Sequence, residues 1–299
     1  MPYALIASGQ IYYETDGDPD ALPLLLVEGG FTQLIGWAPD FVEQLTDAGF
    51  FVIRADNRDT GLSTHFGGPE DLDGGYQLKD MADDMIAVLD DAGVDSAHCA
   101  GRSMGGMISQ VMALEYPQRV RSLGLFYSIP GQDPRYILHG PREELSTPQP
   151  RFSAAELLER ALAAHRAFMP HGDLWGEQQW YEEETRRYIG DSYARRYSPD
   201  GAPRQWNALK RAPERLAKLR SVTVPAAVVH GREDHVLHWC AAVDIAEAIP
   251  SAELHVYPGM GHFFPPALIP EFVQILRRTA QLAELTIPPG RSRQAPHCR

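Results

Sequence analysis

The sequence predicts an α/β protein in which helices cover both faces of a mostly parallel central sheet. Nearly continuous apolar runs of strand length alternate along the chain with segments whose apolar residues recur at helical spacing. Such runs are typical of strands that are buried on both faces, and repeated alternation of strand and helix favours a parallel sheet. The alternation is interrupted once, which predicts an insertion between two strands.

The individual elements follow from this periodicity. The predicted strands of the parallel sheet span residues 23–30, 50–56, 96–101, 120–128, 224–231 and 252–259. The clearest predicted helices between them span residues 41–49, 81–93, 104–117 and 241–250. Ahead of all of these, residues 4–19 predict an antiparallel edge hairpin that turns at Ser8 and Gly9.

The interruption lies between about residues 132 and 218, where amphipathic segments rich in aromatic residues replace the strand pattern. Proline-rich pieces at its two edges are typical of linkers. We therefore expect a helical cap at 132–218, inserted between two parts of one core at 1–131 and 219–285. Residues 286–299 are polar and contain prolines, and we expect a disordered tail there.

Composition and charge exclude several classes of function. With 44% hydrophobic residues and a mean hydropathy of −0.29, the 299-residue chain has the composition of a globular protein with a sizeable core. The formal net charge is −13 and no run of Lys or Arg occurs, whereas nucleic acids and anionic membrane surfaces require a basic patch. We expect a small-molecule partner, and neither a nucleic acid nor a membrane.

The first residues and the cysteines bear on location and on cofactors. No apolar stretch approaches the roughly 20 residues that span a bilayer, and MPYALIASGQ lacks the basic and apolar parts of a signal peptide. We therefore expect a cytoplasmic protein. Because the 3 cysteines are scattered, and because His230, Asp234, His235 and His238 lack a tetrahedral ligand spacing, no disulfide, metal site or other cofactor is expected.

The segment GRSMG at residues 101–105 is the most informative motif in the sequence. It fits the pattern G-x-S-x-G, in which a strained turn between a strand and a helix exposes a nucleophilic serine. Ser103 follows a predicted strand and precedes a predicted helix, as that turn requires. Gly101 and Gly105 fit as well, because a Cβ at either position would collide with the neighbouring strand or helix.

Together with this motif, several others resemble those of the α/β-hydrolase superfamily, and the resemblance covers residues 5–281. RADNRDTGLS resembles the D-x-R-x-x-G-x-S loop of the superfamily, VVHGRED the strand end that carries its acid, and YPGMGHFF the loop that carries its histidine. Within the superfamily, the segments VEGG, GW, DNRDTG and SMG are most similar to the aclacinomycin methylesterase group of polyketide-tailoring esterases.

The resemblance implies a catalytic triad of Ser103, Asp234 and His262, which occur in the chain order of this fold. A triad is needed because a serine hydroxyl is a weak nucleophile until a histidine accepts its proton and a carboxylate orients that histidine. Glu233 stands beside Asp234 and is the alternative acid, although Asp234 matches the position of the family.

The resemblance also places an oxyanion hole at the backbone N–H groups of Phe31 and Met104, with Gly30 lining the substrate site. Preorganised donors of this kind stabilise the negative charge that develops on the substrate oxygen, and each can lower the barrier by roughly 3 kcal/mol.

The sequence departs from the family pattern at this loop. The usual histidine–glycine pair is replaced by Gly29 and Gly30, which are preceded by Glu28. Because an unpaired carboxylate is costly to bury, Glu28 either pairs with Arg102 or Arg58 or points to solvent.

The aromatic residues of the predicted cap allow two interpretations. Trp175 and Trp180 are expected to contact an apolar substrate above Ser103, along with other aromatic residues of the cap, namely Phe168, Tyr181 and Tyr188. Equally, these side chains could form the hydrophobic core of the cap itself.

These observations predict a serine hydrolase that cleaves a carboxylic ester through an acyl-enzyme. The resemblance implies that the substrate is a methyl ester of an aromatic polyketide. Two alternatives stay open: a cofactor-free oxidoreductase or haloperoxidase-type member of the fold that uses His262 and Asp234 as its base, and a ligand-binding protein of the same fold without turnover. The fold alone cannot choose among them.

Overall fold

The computed structural model describes residues 2–140, 143–167, 174–175 and 177–286. Within them, an eight-stranded sheet has the strand order β1-β2-β4-β3-β5-β6-β7-β8. The strands are β1 (Tyr3–Ile6), β2 (Gly9–Asp16), β3 (Leu22–Val27), β4 (Phe50–Ala55), β5 (Ala97–Arg102), β6 (Val120–Phe126), β7 (Ala226–Gly231) and β8 (Ala252–Tyr257).

Neighbouring strands from β4 to β8 in this order pair in parallel. The first two strands form the predicted edge hairpin, which is antiparallel and pairs Ile6 with Gly9. Its turn lies at Ala7 and Ser8, one residue earlier than predicted. β2 also pairs antiparallel with β4. The prediction of a mostly parallel sheet with helices is confirmed.

Helices cover both faces of the sheet, as the alternating pattern predicts. They are α1 (Pro39–Asp47), α2 (Leu78–Asp91), α3 (Met104–Glu115), α4 (Ala154–Ala167), α5 (Glu177–Ala194), α6 (Ala202–Lys210), α7 (Leu216–Leu219), α8 (Cys240–Ala248) and α9 (Ile269–Thr286). Side chains of α1 and α9 pack in one hydrophobic cluster, and side chains of α2, α3 and α8 pack in another on the opposite face.

The strands explain why two clusters form. In β3, Leu24 and Leu26 belong to the cluster of α1 and α9, whereas Leu25 and Val27 belong to the cluster of α2, α3 and α8. Successive side chains of a strand point to opposite faces, so a continuous apolar run supplies both cores at once. Burying one such leucine contributes about 1.5–3 kcal/mol to stability.

The insertion between β6 and β7 contains α4 to α7. Near its start, Tyr136 is 1% exposed and its hydroxyl donates to Asp244 of α8 at 2.6 Å. In α6, the fully buried Arg204 lies 2.7 Å from the carboxylate of Asp59 in the loop after β4. The two flanks of the insertion thus pack on the sheet core, and α4 and α5 lie between them in the chain.

Two sequence expectations fall on parts of the chain that are not described. α9 extends to Thr286, and the rest of the predicted tail at 286–299 lies outside the described residues, as does Phe168. Within the described ranges, no helix combines the length and the hydrophobicity that crossing a membrane requires.

Candidate active site

Ser103 occupies the turn between β5 and α3 and has φ 52° and ψ −119°. This left-handed backbone is strained for a residue with a side chain, at a cost of about 1–3 kcal/mol. The two flanking glycines are required by space: a Cβ on Gly101 would lie 2.2 Å from the carbonyl oxygen of Gly105, and one on Gly105 would lie 2.0 Å from that of Val27. The steric role predicted for both glycines is therefore met.

The structure brings Ser103, His262 and Asp234 together from three separate loops. The Nε2 atom of His262 lies 3.0 Å from the Oγ atom of Ser103, and its Nδ1 atom lies 2.7 Å from the Oδ2 atom of Asp234. Each residue follows the carboxyl end of a parallel strand: Ser103 follows β5, Asp234 follows β7 and His262 follows β8. Strand ends of this kind meet at one edge of the sheet, where ligands of open α/β sheets bind.

The Asp234 carboxylate is held ionised by its surroundings. Its Oδ1 atom accepts the backbone N–H groups of Val236 and Leu237 at 2.7 and 2.9 Å, and His230 Nε2 lies 3.2 Å from its Oδ2 atom. Burial alone would raise the pKa of Asp234, but the neighbouring His262 and His230 outweigh burial and hold this pKa below its ordinary value. Asp234 therefore stays negatively charged and can stabilise a protonated His262.

The alternative acid, Glu233, faces away from the histidine. Its Oε2 atom accepts the backbone N–H of Gly259 at 2.6 Å, and its Oε1 atom lies 3.2 Å from Arg232 Nε. Glu233 thus binds the backbone of the loop that carries His262, whereas Asp234 contacts the imidazole itself.

The two predicted oxyanion donors, Met104 and Phe31, differ in the hydrogen bonds of their N–H groups. Met104 is the first residue of α3, where a helix leaves its N–H groups without intrahelical partners. The Phe31 N–H, in contrast, donates to the side-chain Oε1 of Gln205 at 2.7 Å. The oxyanion role of Phe31 therefore stays a prediction that requires this hydrogen bond to break.

The preceding residue of the loop, Gly30, is the better candidate for the second donor. Within the described part of the chain its N–H meets no hydrogen-bond acceptor. A Cβ on Gly30 would lie 3.7 Å from the sulfur and 3.8 Å from the Cβ of Met104, so Gly30 lies close to the Met104 side chain. Gly30 also lines the cavity above Ser103, in keeping with its predicted place in the substrate site.

Glu28 is buried and paired with Arg102, so it does not point to solvent. The carboxylate is 1% exposed and accepts Arg102 Nε at 2.7 Å and Nη2 at 2.9 Å. Arg58, the other predicted partner, is bound instead to Asp84 at 2.7 Å.

A cavity of about 470 Å³ opens onto the serine and the histidine. Helices α4 and α5 form its upper wall, through side chains such as Leu157, Trp180, Tyr181 and Tyr188. The prediction for Trp180 fits this arrangement. Trp175 is not among the residues that line the cavity. Its indole N–H donates to the carbonyl of Pro258 at 2.9 Å, so this position does not favour a substrate contact, which stays a prediction.

Two residues near the site, Gln205 and Tyr127, are not singled out by the sequence, whereas Tyr188 is named above among the aromatic residues of the cap. Gln205 fixes Phe31 and also donates from Nε2 to the Arg58 carbonyl at 2.7 Å. The ring of Tyr127, a residue with φ 35° at the end of β6, lies 4.5 Å from the imidazole of His262. The hydroxyl of Tyr188 accepts the Gln33 N–H at 3.1 Å. Tyr127 could have been predicted near the site because it directly follows the end of β6.

The histidines around Asp234 make contacts with protein atoms. No group of three or more histidine, cysteine, aspartate or glutamate side chains is arranged there to hold an ion. His230 is turned toward Asp234, and His238 accepts the Cys240 N–H through Nδ1 at 3.0 Å.

Comparison with known proteins identifies the family of the chain. Residues 23–265 match the family model of the alpha/beta hydrolase fold. Rhodomycin D methylesterases of Streptomyces sp. strain C5 and of Streptomyces peucetius are 28% and 29% identical to the chain, each over 90% of this chain and 94% of the relative. A meta-cleavage product hydrolase of Pseudomonas fluorescens IP01 superposes with a TM-score of 0.73 at 18% identity, covering 95% of this chain and 98% of that structure. The chain therefore belongs to the alpha/beta hydrolase family, and methylesterases of the predicted group are among its relatives.

Proposed function

We propose that the chain is a cytoplasmic serine esterase that hydrolyses a carboxylic ester through an acyl-enzyme. The observation that carries the proposal is the continuous contact from Asp234 through His262 to Ser103, with the serine opening onto a cavity of about 470 Å³. This contact supplies a nucleophile, its base and the carboxylate that orients the base.

The reaction proceeds in two halves. His262 Nε2 accepts the proton of the Ser103 hydroxyl as Oγ attacks the ester carbonyl, and the resulting oxyanion accepts the N–H groups of Gly30 and Met104. Protonated His262 then gives its proton to the leaving alcohol, which departs from the acyl-enzyme. In the second half, water attacks the acyl group with His262 again as base, releasing the acid and the free serine.

The lining of the cavity favours a bulky, neutral, aromatic acyl group. Aromatic rings dominate the wall, among them Trp37, Trp180, Tyr181, Tyr188 and Phe263. The charged side chains that reach it are paired: Glu28 with Arg102 and Glu184 with Arg187. Together with the names of the methylesterase relatives, this supports a methyl ester of an aromatic polyketide as the substrate.

A direct test measures methanol release from methyl esters of polycyclic aromatic acids, alongside p-nitrophenyl acetate as a small reference ester. We expect turnover of both classes, with the lower KM for the aromatic esters. Consumption of oxygen or of halide without methanol release would instead support the oxidoreductase alternative. Stable binding of intact ester without turnover would support a ligand-binding protein.

The two cap tryptophans provide a matched pair of variants for substrate choice. Trp180→Ala should raise KM for bulky aromatic esters about tenfold or more, since most of an aromatic side chain's contact, about 1.5–3 kcal/mol, is lost. Turnover of p-nitrophenyl acetate should change little. Trp175→Ala removes the same side chain outside the cavity lining and should leave the ratio of the two KM values unchanged. If Trp180→Ala treats large and small esters alike, the Trp180 side chain does not contact the acyl group.

A further inference from the structure

We propose that Glu28 and Arg102 act as one unit that positions the oxyanion loop, residues 28–32, against the nucleophile. The inference rests on the proposed esterase function and assigns both side chains as positioning residues for it. Glu28 directly follows β3, and Arg102 is the last residue of β5, next to Ser103. Their ion pair therefore ties together the two strand ends that present Gly30 and Met104.

The contacts of the Glu28 carboxylate show how it holds the loop. Besides Arg102, its Oε1 atom accepts the Gly29 N–H at 2.8 Å and the Thr32 hydroxyl at 3.0 Å. These contacts, one to a backbone N–H and one to a side-chain hydroxyl, lie on both sides of Gly30 in the chain, so the carboxylate holds the segment that contains the candidate donor. A donor displaced by about 1 Å can cost about 100-fold in rate.

Arg102 packs against two aromatic rings, which position its guanidinium toward the carboxylate. Its guanidinium lies 4.6 Å from the ring centroid of Trp37 and 5.8 Å from that of Phe264. Gly36 leaves room for the pair, because a Cβ there would lie 2.5 Å from Arg102 Nη2 and 3.1 Å from Glu28 Oε2. The fork of the guanidinium matches the carboxylate with two parallel hydrogen bonds.

Stability alone is a weak reason for such a pair. Removing two charges from water is costly, and well-packed apolar residues often replace a buried ion pair without loss of stability. Fixing the loop geometry gives the pair a role that an apolar contact does not reproduce, because two directional hydrogen bonds set both the distance and the angle between the strand ends.

The test measures kcat, KM and the affinity of an aryl trifluoromethyl ketone for Glu28→Gln. In this probe Ser103 Oγ adds to the ketone carbon, the serine proton passes to His262, and the hemiketal oxyanion occupies the donors. We expect kcat and ketone affinity to fall together by about 10- to 100-fold, because both depend on the oxyanion donors. KM should change less than about threefold, for large and small esters alike, because ground-state binding uses the cavity wall.

A double variant separates loop positioning from the effect of an unpaired charge. Glu28→Gln combined with Arg102→Met leaves no buried charge and should regain melting temperature, yet its kcat should stay within a few-fold of that of Glu28→Gln, since the pair acts as a unit. Recovery of the wild-type kcat in the double variant would overturn the proposal. If Glu28→Gln alone does not fold, the double variant is compared with the wild type instead, and its kcat should be lower by about 10- to 100-fold.

Asp84→Asn is the matched control, because the buried Arg58–Asp84 pair has the same forked geometry outside the cavity lining. It should lower the melting temperature without changing the ketone affinity. Failure of the proposed function is distinguishable: wild-type protein would then show no hydrolysis that Ser103→Ala removes. Failure of the present inference would leave wild-type hydrolysis intact and give Glu28→Gln the wild-type kcat.

Discussion

Ser103→Ala should abolish ester hydrolysis, lowering kcat by about 10³-fold or more, while the protein stays folded. The substitution removes the Oγ atom that lies 3.0 Å from His262 and leaves the buried sheet unchanged. Alanine adopts the strained backbone at this position no less readily than serine, since both carry a Cβ. Methanol release and the melting temperature, measured on the same preparation, check both parts of the expectation.

Ser109→Ala is the control for this variant. Ser109 lies in α3, is fully buried, and donates its hydroxyl to the Gly105 carbonyl at 2.9 Å, so its replacement removes one hydroxyl close to the nucleophile turn without touching the cavity. We expect this variant to keep the wild-type kcat. Retention of most of the activity by Ser103→Ala would contradict the esterase proposal and favour chemistry in which His262 acts alone as a base.

The nucleophile turn is predictable from sequence because its constraints are local. A strand, a serine between spaced glycines, and a helix lie within residues 97–115, and the clashes that exclude a Cβ at Gly101 and Gly105 follow from the turn itself. Asp234 and His262 are distant in sequence, but each follows a strand end. Parallel strands bring such ends together whatever the intervening chain does.

The contacts of the oxyanion loop could not be predicted from the local sequence. Phe31 is 174 residues from Gln205, and no periodicity reports that a side chain of α6 reaches the loop. Because the contact takes the Phe31 N–H, the candidate donor moves to Gly30. The pairing of Glu28 with Arg102 spans 74 residues and depends likewise on the packing of two strand ends.

Element boundaries differ from the predictions for identifiable reasons. α1 begins at Pro39, two residues before the predicted start, because proline is accommodated in the first turn of a helix. It ends before Gly49, whose φ of 89° is left-handed. α9 is absent from the predicted helices although Phe272, Val273 and Leu276 recur at helical spacing and are buried.

The sequence could not show whether the aromatic residues of the cap contact the substrate or form the core of the cap, because composition does not give the direction of a side chain. Trp180 lies in α5 and faces the cavity. Trp175 precedes that helix and packs against the loop of His262 through the Pro258 carbonyl. The two tryptophans therefore differ in their contacts, although their sequence surroundings are similar and both pack against one hydrophobic cluster.

The choice of the acid in the triad gives the second large expected effect. Asp234→Asn should lower kcat by about 10⁴-fold, because the amide no longer stabilises a protonated His262 and favours the wrong imidazole tautomer. Glu233→Gln, the same chemical change one residue earlier, should cost less than about tenfold, since the glutamine oxygen can still accept the Gly259 N–H that Glu233 accepts now. Both variants are compared with the wild type at saturating ester.

The pH dependence of the wild type sharpens this comparison. Because His262 and His230 hold the pKa of Asp234 below its ordinary value, this carboxylate stays ionised as the pH falls through the range in which carboxylates usually gain protons. Its favourable contribution to folding is present above the ordinary aspartate pKa and is lost only as the pH falls to the lower pKa of the folded state. Asp234→Asn should therefore remove stability at neutral pH and flatten the fall of the melting temperature in strong acid. If Glu233→Gln is the more damaging change in kcat, Glu233 rather than Asp234 holds His262 during the reaction.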